Sequence, residues 1–258
     1  MKVVTRNELH EYDLSLLMND EIQVLRIINF FSDNSCQELL KKLENCNLLG
    51  RYKNAPLIKR IGRAFYETIN NPKEQSDYFE SATLWIKEIR KNCSPLITPI
   101  DLLRLVLDEA WIHGVNLATI NDKKMFVGLV RKFSTGSYAE AHQDHLEWDT
   151  NNSDYDLKNQ IACNVFLKLP KYGGEIIIYD QSLSKKDYEK NRIDGSYGIN
   201  LDSSIKKTAI QLRPRIGELI LFSSHKTHAL STVDDGEHVA WSSFVGFSGN
   251  DKPLIIWS

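Results

Sequence analysis

The chain has 258 residues, 42% of them hydrophobic and 26% charged, with a formal net charge of −2. A balance so close to neutral excludes a global electrostatic attraction to nucleic acid or to an anionic membrane surface. The length suits one domain over residues 1–258, with a mixed helix and strand support region to about residue 120 and a β-rich core beyond it.

The opening residues Met1 to Glu8 carry no apolar core of signal-peptide length, and no later run approaches a membrane span. The four cysteines, Cys36, Cys46, Cys93 and Cys163, lack metal-type spacing and are read as reduced thiols, which points to a cytoplasmic protein. The first element is expected to be a strand from Ile22 to Phe30, lying on the main sheet. A helix follows, because Ser35 and Glu38 have capping-box spacing and Cys36, Leu39, Leu40 and Leu43 recur at helical intervals.

Arg51, Lys53, Lys59, Arg60 and Arg63 then make a basic cluster, read as a solvated loop. Phe79, Ala82, Ile86 and Ile89 form the stripe of a second helix. Thr98-Pro99 with Asp101 is the start signal of a third, running to about Trp111. These helices are expected to brace the back of a sheet.

From Met125 onward the pattern is that of short strands bounded by turn residues: 125–133, 160–169, 174–180, 208–213, 218–222, 227–230 and 237–247. The fold class is therefore α+β with a mainly β core, and the series suits a double-sheet jelly roll whose mouth can hold a metal and a small ligand. Residues 151–156 and the longer polar stretch 181–204 are read as loops, the second as a lid over the site.

The chemistry is concentrated in Tyr138-Ala-Glu-Ala-His142-Gln-Asp144-His145. Side chains two apart on an extended backbone share one face, so His142 and Asp144 can grip one ion together. A distant histidine would complete two imidazoles and a carboxylate, the set that leaves open positions on Fe(II). His228 and His225 both compete for that place. His145 falls on the opposite side if the strand continues. Glu140, Glu147 and Asp149 surround the motif and are read first as a solvated acidic rim, with a cationic substrate such as a basic amino acid as the alternative. A zinc site built on His142 and His145 would need His-x-x-His on a strand, which is poor geometry. Ser223-Ser224-His225 lacks the turn of a hydrolase nucleophile.

Three further segments fix the reading: Phe133-Ser-Thr-Gly136-Ser-Tyr138, Tyr172-Gly-Gly-Glu-Ile-Ile-Ile-Tyr-Asp180, and the run Gly217-x-Leu219-x-x-Phe222 followed by His228-Ala-Leu230, Val233, Gly236 and His238. Together they resemble the 2-oxoglutarate- and Fe(II)-dependent oxygenases, in particular the prolyl-hydroxylase-like branch. The resemblance implies a double-stranded β-helix core, Fe(II) held by His142, Asp144 and His228, and O₂ and 2-oxoglutarate as co-substrates. It also implies hydroxylation of an unactivated carbon of a small molecule, an amino acid or a natural-product intermediate. The halogenating relatives replace the carboxylate ligand by a small residue; with Asp144 in that place, halogenation is not expected.

One position departs from the pattern. The family usually sets an arginine or lysine about ten residues after the distal histidine to hold the far carboxylate of 2-oxoglutarate, and here that residue is His238. Either His238 serves, or another cation does: Arg131, Lys168, Arg213 or Arg215, with Asn164 a further co-substrate contact. The departure keeps open a noncatalytic jelly roll that binds a metal or small acid, and a zinc-dependent hydrolase is a third reading.

Overall fold

The computed structural model describes residues 1–258 apart from 47, 53, 54, 56, 70, 151–154 and 202–208. Two antiparallel-dominated sheets carry the architecture. In spatial order the larger runs Val3–Arg6, Val24–Ile27, Leu219–Ser223, Asn159–Lys168, Glu237–Phe247, Leu129–Ser134, Ile58–Ile61 and Leu49–Arg51. Leu254–Trp257 pairs with the far end of Glu237–Phe247 and with Val115–Leu117. The smaller sheet runs Ala209–Leu212, Ile176–Tyr179, His228–Leu230 and Ala139–His142. Sequentially distant strands lie side by side in both sheets, as the expected jelly roll requires.

The central strand Asn159–Lys168 shows why two layers form on the larger sheet. Its residues are buried on both faces up to Leu167, which accounts for a run with little polar alternation. Gln160, Ala162, Asn164 and Phe166 point to a cavity between the sheets. Ile161, Cys163, Val165 and Leu167 belong to the main core, where the helices Glu11–Met18, Asp33–Glu44 and Pro99–Ala110 meet the opposite face. Pro99–Ala110 thus braces the back of the larger sheet, as expected, whereas the helix Pro72–Cys93 packs mainly on Asp33–Glu44 and Phe65–Thr68. All four cysteines are buried free thiols. Among the described residues no helix is long and apolar enough to cross a membrane.

Local signals hold with shifts. The helix Pro72–Cys93 starts at Asn71, whose side chain accepts from the amides of Lys73 and Glu74, and Thr98 caps Pro99–Ala110 by accepting from the Asp101 amide. The helix Asp33–Glu44 begins earlier than expected: Ser32, not Ser35, is the cap, and Ser35 donates its amide to it. The strand predicted over 22–30 is confined to Val24–Ile27 and is preceded by Val3–Arg6 and Glu11–Met18, which were not foreseen. The basic cluster is not simply a loop. Leu49–Arg51 and Ile58–Ile61 extend the larger sheet at its edge, with Ile58 and Ile61 buried and Arg60 paired with Glu67 at 2.8 Å; Lys53 lies outside the described residues. The 181–204 segment contains a helix, Lys185–Lys190, and part of the 151–156 loop lies outside the described residues.

Buried charge is paired where it occurs in the larger sheet. Glu218 is fully buried and takes two hydrogen bonds from Arg26, at 2.6 and 2.8 Å, and one from the Arg215 amide at 2.9 Å. That satisfies a carboxylate whose desolvation would otherwise cost several kcal/mol.

Candidate metal centre

His142 and His228 face each other directly across the antiparallel pair Ala139–His142 and His228–Leu230. That register, set by the smaller sheet, brings two residues 86 positions apart to a ring separation of 4.3 Å. Asp144 follows His142 by two residues. Its amide donates to the Ser224 carbonyl at 3.0 Å and its own carbonyl accepts from the Ser224 hydroxyl at 3.1 Å, which pins the backbone beyond the strand. The Asp144 carboxylate then lies 3.7 Å from His142 Nε2 and 3.3 Å from His228 Nε2.

The fit to a divalent ion rests on which ring atoms are free. His142 Nδ1 lies 2.7 Å from the Glu140 carbonyl and His228 Nδ1 lies 2.9 Å from the Lys226 carbonyl. A carbonyl only accepts, so each Nδ1 carries the proton and each Nε2 presents its lone pair toward the shared point. Burial, with His228 second, lowers the His142 pKa to about 4 and keeps the ring neutral. Burial opposes the charge on Asp144, but the facing rings of His142 and His228 hold it below the usual carboxylate range. Two imidazoles presenting Nε2 and a carboxylate, converging from one side, suit a hard to borderline divalent metal such as Fe(II).

His145 and His225 belong to a neighbouring group. With Glu147 they bring ligand-type atoms within 4.8 Å of one another. The two rings stack at 4.0 Å with an interplanar angle of 7°. In-plane lone pairs of parallel rings do not converge, so this arrangement does not present a second shared ion site. Burial, with His225 second, lowers the His145 pKa to about 3, and burial lowers His225 to about 4. His145 is also not on a continuing strand: extended pairing ends at His142, and His145 precedes the short helix Leu146–Asp149.

A cavity of about 640 Å³ opens from the metal residues between the sheets, within the range of small-molecule sites. The candidates for the co-substrate sort clearly against it. Arg131, Asn164 and His238 line it. Arg131 donates to Ser242 Oγ at 3.3 Å and to Asn164 Oδ1 at 3.2 Å, and has no ion pair among the described residues. Lys168 is paired with Glu237 at 2.8 Å. Arg213 is held by Glu175 at 3.2 Å and by the Pro170 and Lys171 carbonyls. Neither Lys168, Arg213 nor Arg215 reaches the cavity wall.

His238 is 2% exposed and sits edge-on between Phe133 and Phe166, at 5.7 and 5.5 Å. Burial, reinforced by Arg131, lowers its pKa to about 4. It is therefore a neutral ring at physiological pH, and the cation in this part of the cavity is Arg131.

The lid contributes residues that the motif reading did not single out. Tyr197 packs edge-on to His142 at 5.2 Å and accepts from the Glu140 amide at 3.1 Å. Tyr188 donates to the Tyr197 carbonyl at 2.6 Å, and the Ile199 amide reaches the Ala141 carbonyl at 2.8 Å. Gly198 is required by close approach, since a Cβ there would lie 2.4 Å from that of Glu140. The cluster Gly195 to Gly198 was the available signal for a turn against the site. Nothing in it marked Tyr197.

Comparisons with known proteins bear on the family and the fold. The sequence model of the family described as carrier-protein-independent halogenase WelO5 matches residues 4–258. A curated relative, an L-gamma-glutamyl-L-propargylglycine hydroxylase from Streptantibioticus cattleyicolor, is 25% identical over 161 residues, 62% of this chain. The matched part spans 59% of that relative's length. Among solved structures, an N-substituted L-amino acid dioxygenase from Burkholderia ambifaria superposes with a TM-score of 0.67 at 13% identity, covering 96% of this chain and 91% of that one. HygX from Streptomyces hygroscopicus, solved with nickel and 2-oxoglutarate, gives a TM-score of 0.51 at 13% identity over 92% and 87%. Both likenesses carry the fold.

Proposed function

The chain belongs to the family of the carrier-protein-independent halogenase WelO5, within the Fe(II)- and 2-oxoglutarate-dependent oxygenases, and from that membership we propose that it hydroxylates an unactivated carbon of a small, amino-acid-derived molecule. The observation that carries the reading is the convergence of His142 Nε2, Asp144 and His228 Nε2 with both Nδ1 atoms committed to backbone carbonyls. Asp144 separates this chain from a halogenating site, because its carboxylate fills the place a halide would need. The amino-acid character is drawn from what the hydroxylase relative and the structural neighbour act on.

His142, Asp144 and His228 would hold the iron, which supplies oxygen activation coupled to oxidative decarboxylation of 2-oxoglutarate. Arg131 holds the far carboxylate of the co-substrate. Its guanidinium has two long hydrogen bonds to neutral groups and, among the described residues, no carboxylate partner, so an incoming dicarboxylate finds a half-buried cation with donors to spare. Asn164 and Ser242, bonded to each other at 2.7 Å, fix the direction of that guanidinium. His238 acts as a neutral, aromatic wall between Phe133 and Phe166. Tyr197 and the lid exclude water from the His142 side.

The test is stoichiometric. With Fe(II), O₂ and 2-oxoglutarate the purified protein should convert 2-oxoglutarate to succinate, and zinc should not replace iron. Binding of 2-oxoglutarate without consumption under a broad substrate panel would overturn the enzymatic reading.

A further inference from the structure

One carboxyl group in the cavity has no use in the iron and co-substrate scheme. Asp149 closes the helix Leu146–Asp149 and lines the same cavity as His142 and Asp144. Among the described residues its carboxylate has no hydrogen bond and no ion pair. Lys185 is bonded instead to the Trp148 carbonyl at 3.3 Å, and Arg192 to the Ser196 carbonyl at 2.9 Å and to Glu189 at 3.3 Å. Both cations act on Asp149 only at longer range.

The wall beside Asp149 is aromatic. Trp148 stacks on His145 at 3.7 Å and 14°, and Tyr188 leans on Trp148 at 5.3 Å. Gln143 fixes the stack from below: its Oε1 accepts from the Leu183 amide at 2.8 Å and its Nε2 reaches the His225 carbonyl and His145 Nε2. A carboxylate beside aromatic faces at the cavity wall offers an organic ammonium both an ion pair and a π-surface. It offers an anion or a neutral amide neither. Burial, with Asp144 second, pushes the Asp149 carboxyl up to about 8, which marks a group short of compensating positive charge.

We propose that Asp149, with Trp148 and Tyr188, forms a subsite for a protonated amino group of the substrate, so that the hydroxylated molecule enters as a free, unacylated amine. The inference rests on the oxygenase reading and deepens it: the relatives are consistent with amino-acid derivatives in general, whereas this subsite requires the ammonium itself.

The experiment uses the full chain loaded anaerobically with Fe(II) and 2-oxoglutarate, titrated with the proteinogenic L-amino acids, γ-glutamyl dipeptides and the fully N-acetylated counterpart of each. Binding is read as perturbation of the visible iron–2-oxoglutarate band. At least one free amine should bind, and its acetylated form should bind about 100-fold more weakly. Asp149→Asn should weaken that amine about 10- to 100-fold while leaving the affinities for iron and 2-oxoglutarate unchanged. Binding by none of the free amines, equal binding of the acetylated forms, or an unaffected Asp149→Asn variant would overturn the proposal. If the iron–2-oxoglutarate band itself never forms, the oxygenase reading fails instead, and calorimetric titration of the amines into wild type and Asp149→Asn decides the subsite on its own.

Discussion

Replacing Arg131 by methionine separates the co-substrate anchor from the fold. The side chain's polar contacts are two hydrogen bonds of 3.3 and 3.2 Å to Ser242 and Asn164, each at the weak end of the useful range. Those partners stay satisfied after the substitution, because Ser242 Oγ donates to Asn164 Oδ1 at 2.7 Å and Arg131 is bonded to neither exclusively. Methionine keeps much of the apolar stem, and removing a half-buried cation that lacks an ion pair relieves desolvation. The apoprotein should thus unfold within about 1 kcal/mol of wild type. Binding of 2-oxoglutarate should fall far more. Loss of a charge-assisted, two-pronged contact in a confined site costs about 3 kcal/mol, roughly a hundredfold in Kd. The assay is anaerobic equilibrium titration of the Fe(II) protein with 2-oxoglutarate, alongside thermal unfolding of the apoprotein. A 2-oxoglutarate affinity close to wild type together with a large loss of stability would show that Arg131 is structural and refute the assignment.

His228→Ala should abolish tight iron binding, whereas His225→Ala should retain it, as measured by iron content after desalting; equal losses would contradict the choice of distal ligand. His238→Arg should not tighten 2-oxoglutarate binding and should lower the melting temperature, because it buries a second guanidinium near Arg131 in a slot 2% exposed between two phenylalanines; tighter binding would restore position 238 as the anchor. The pH dependence has a definite sign. His238 has its pKa lowered to about 4 by burial, so between pH 4 and the unfolded value of about 6.5 the unfolded state binds the extra proton. Stability of the chelator-treated apoprotein should fall as pH drops through that window, and the slope should be shallower in His238→Gln by up to about 1.4 kcal/mol per pH unit. Glu218→Ala should destabilise by about 3–5 kcal/mol in chemical unfolding, because it strands Arg26 in a site where the carboxylate is fully buried.

Much of the architecture was legible because the core strands are short β-rich runs bounded by turn residues and the helices carry their caps. His142 and Asp144 could be paired from spacing alone, since that inference needs only an extended backbone. Their partner needed more: the spacing to Val233, Gly236 and position 238 favours His228 over His225, and the structure adds the register that sets His228 opposite His142. The extended form on which the side of His145 was conditional does not continue, because a four-residue helix begins at Leu146, too short to leave a periodic signal; His145 still lines the cavity apart from the iron ligands. The basic stretch from Arg51 to Arg63 hid two edge strands, because charges on a sheet edge look like charges in a loop; only Ile58 and Ile61, both buried, marked the inward face. Arg131 stood out only as one of several cations, and the structure separates it from Lys168 and Arg213 by showing that those two are already paired. Tyr188 and Tyr197 lie in a polar segment whose folding back over the Ala139–His142 strand has no period to read.

The most direct test of the account is anaerobic addition of Fe(II) and then 2-oxoglutarate to the apoprotein, followed by visible absorption. A weak charge-transfer band that appears with both components and is lost in His228→Ala is the predicted result. Stoichiometric iron with no band on saturation with 2-oxoglutarate, or a band that survives intact in His228→Ala, would contradict it.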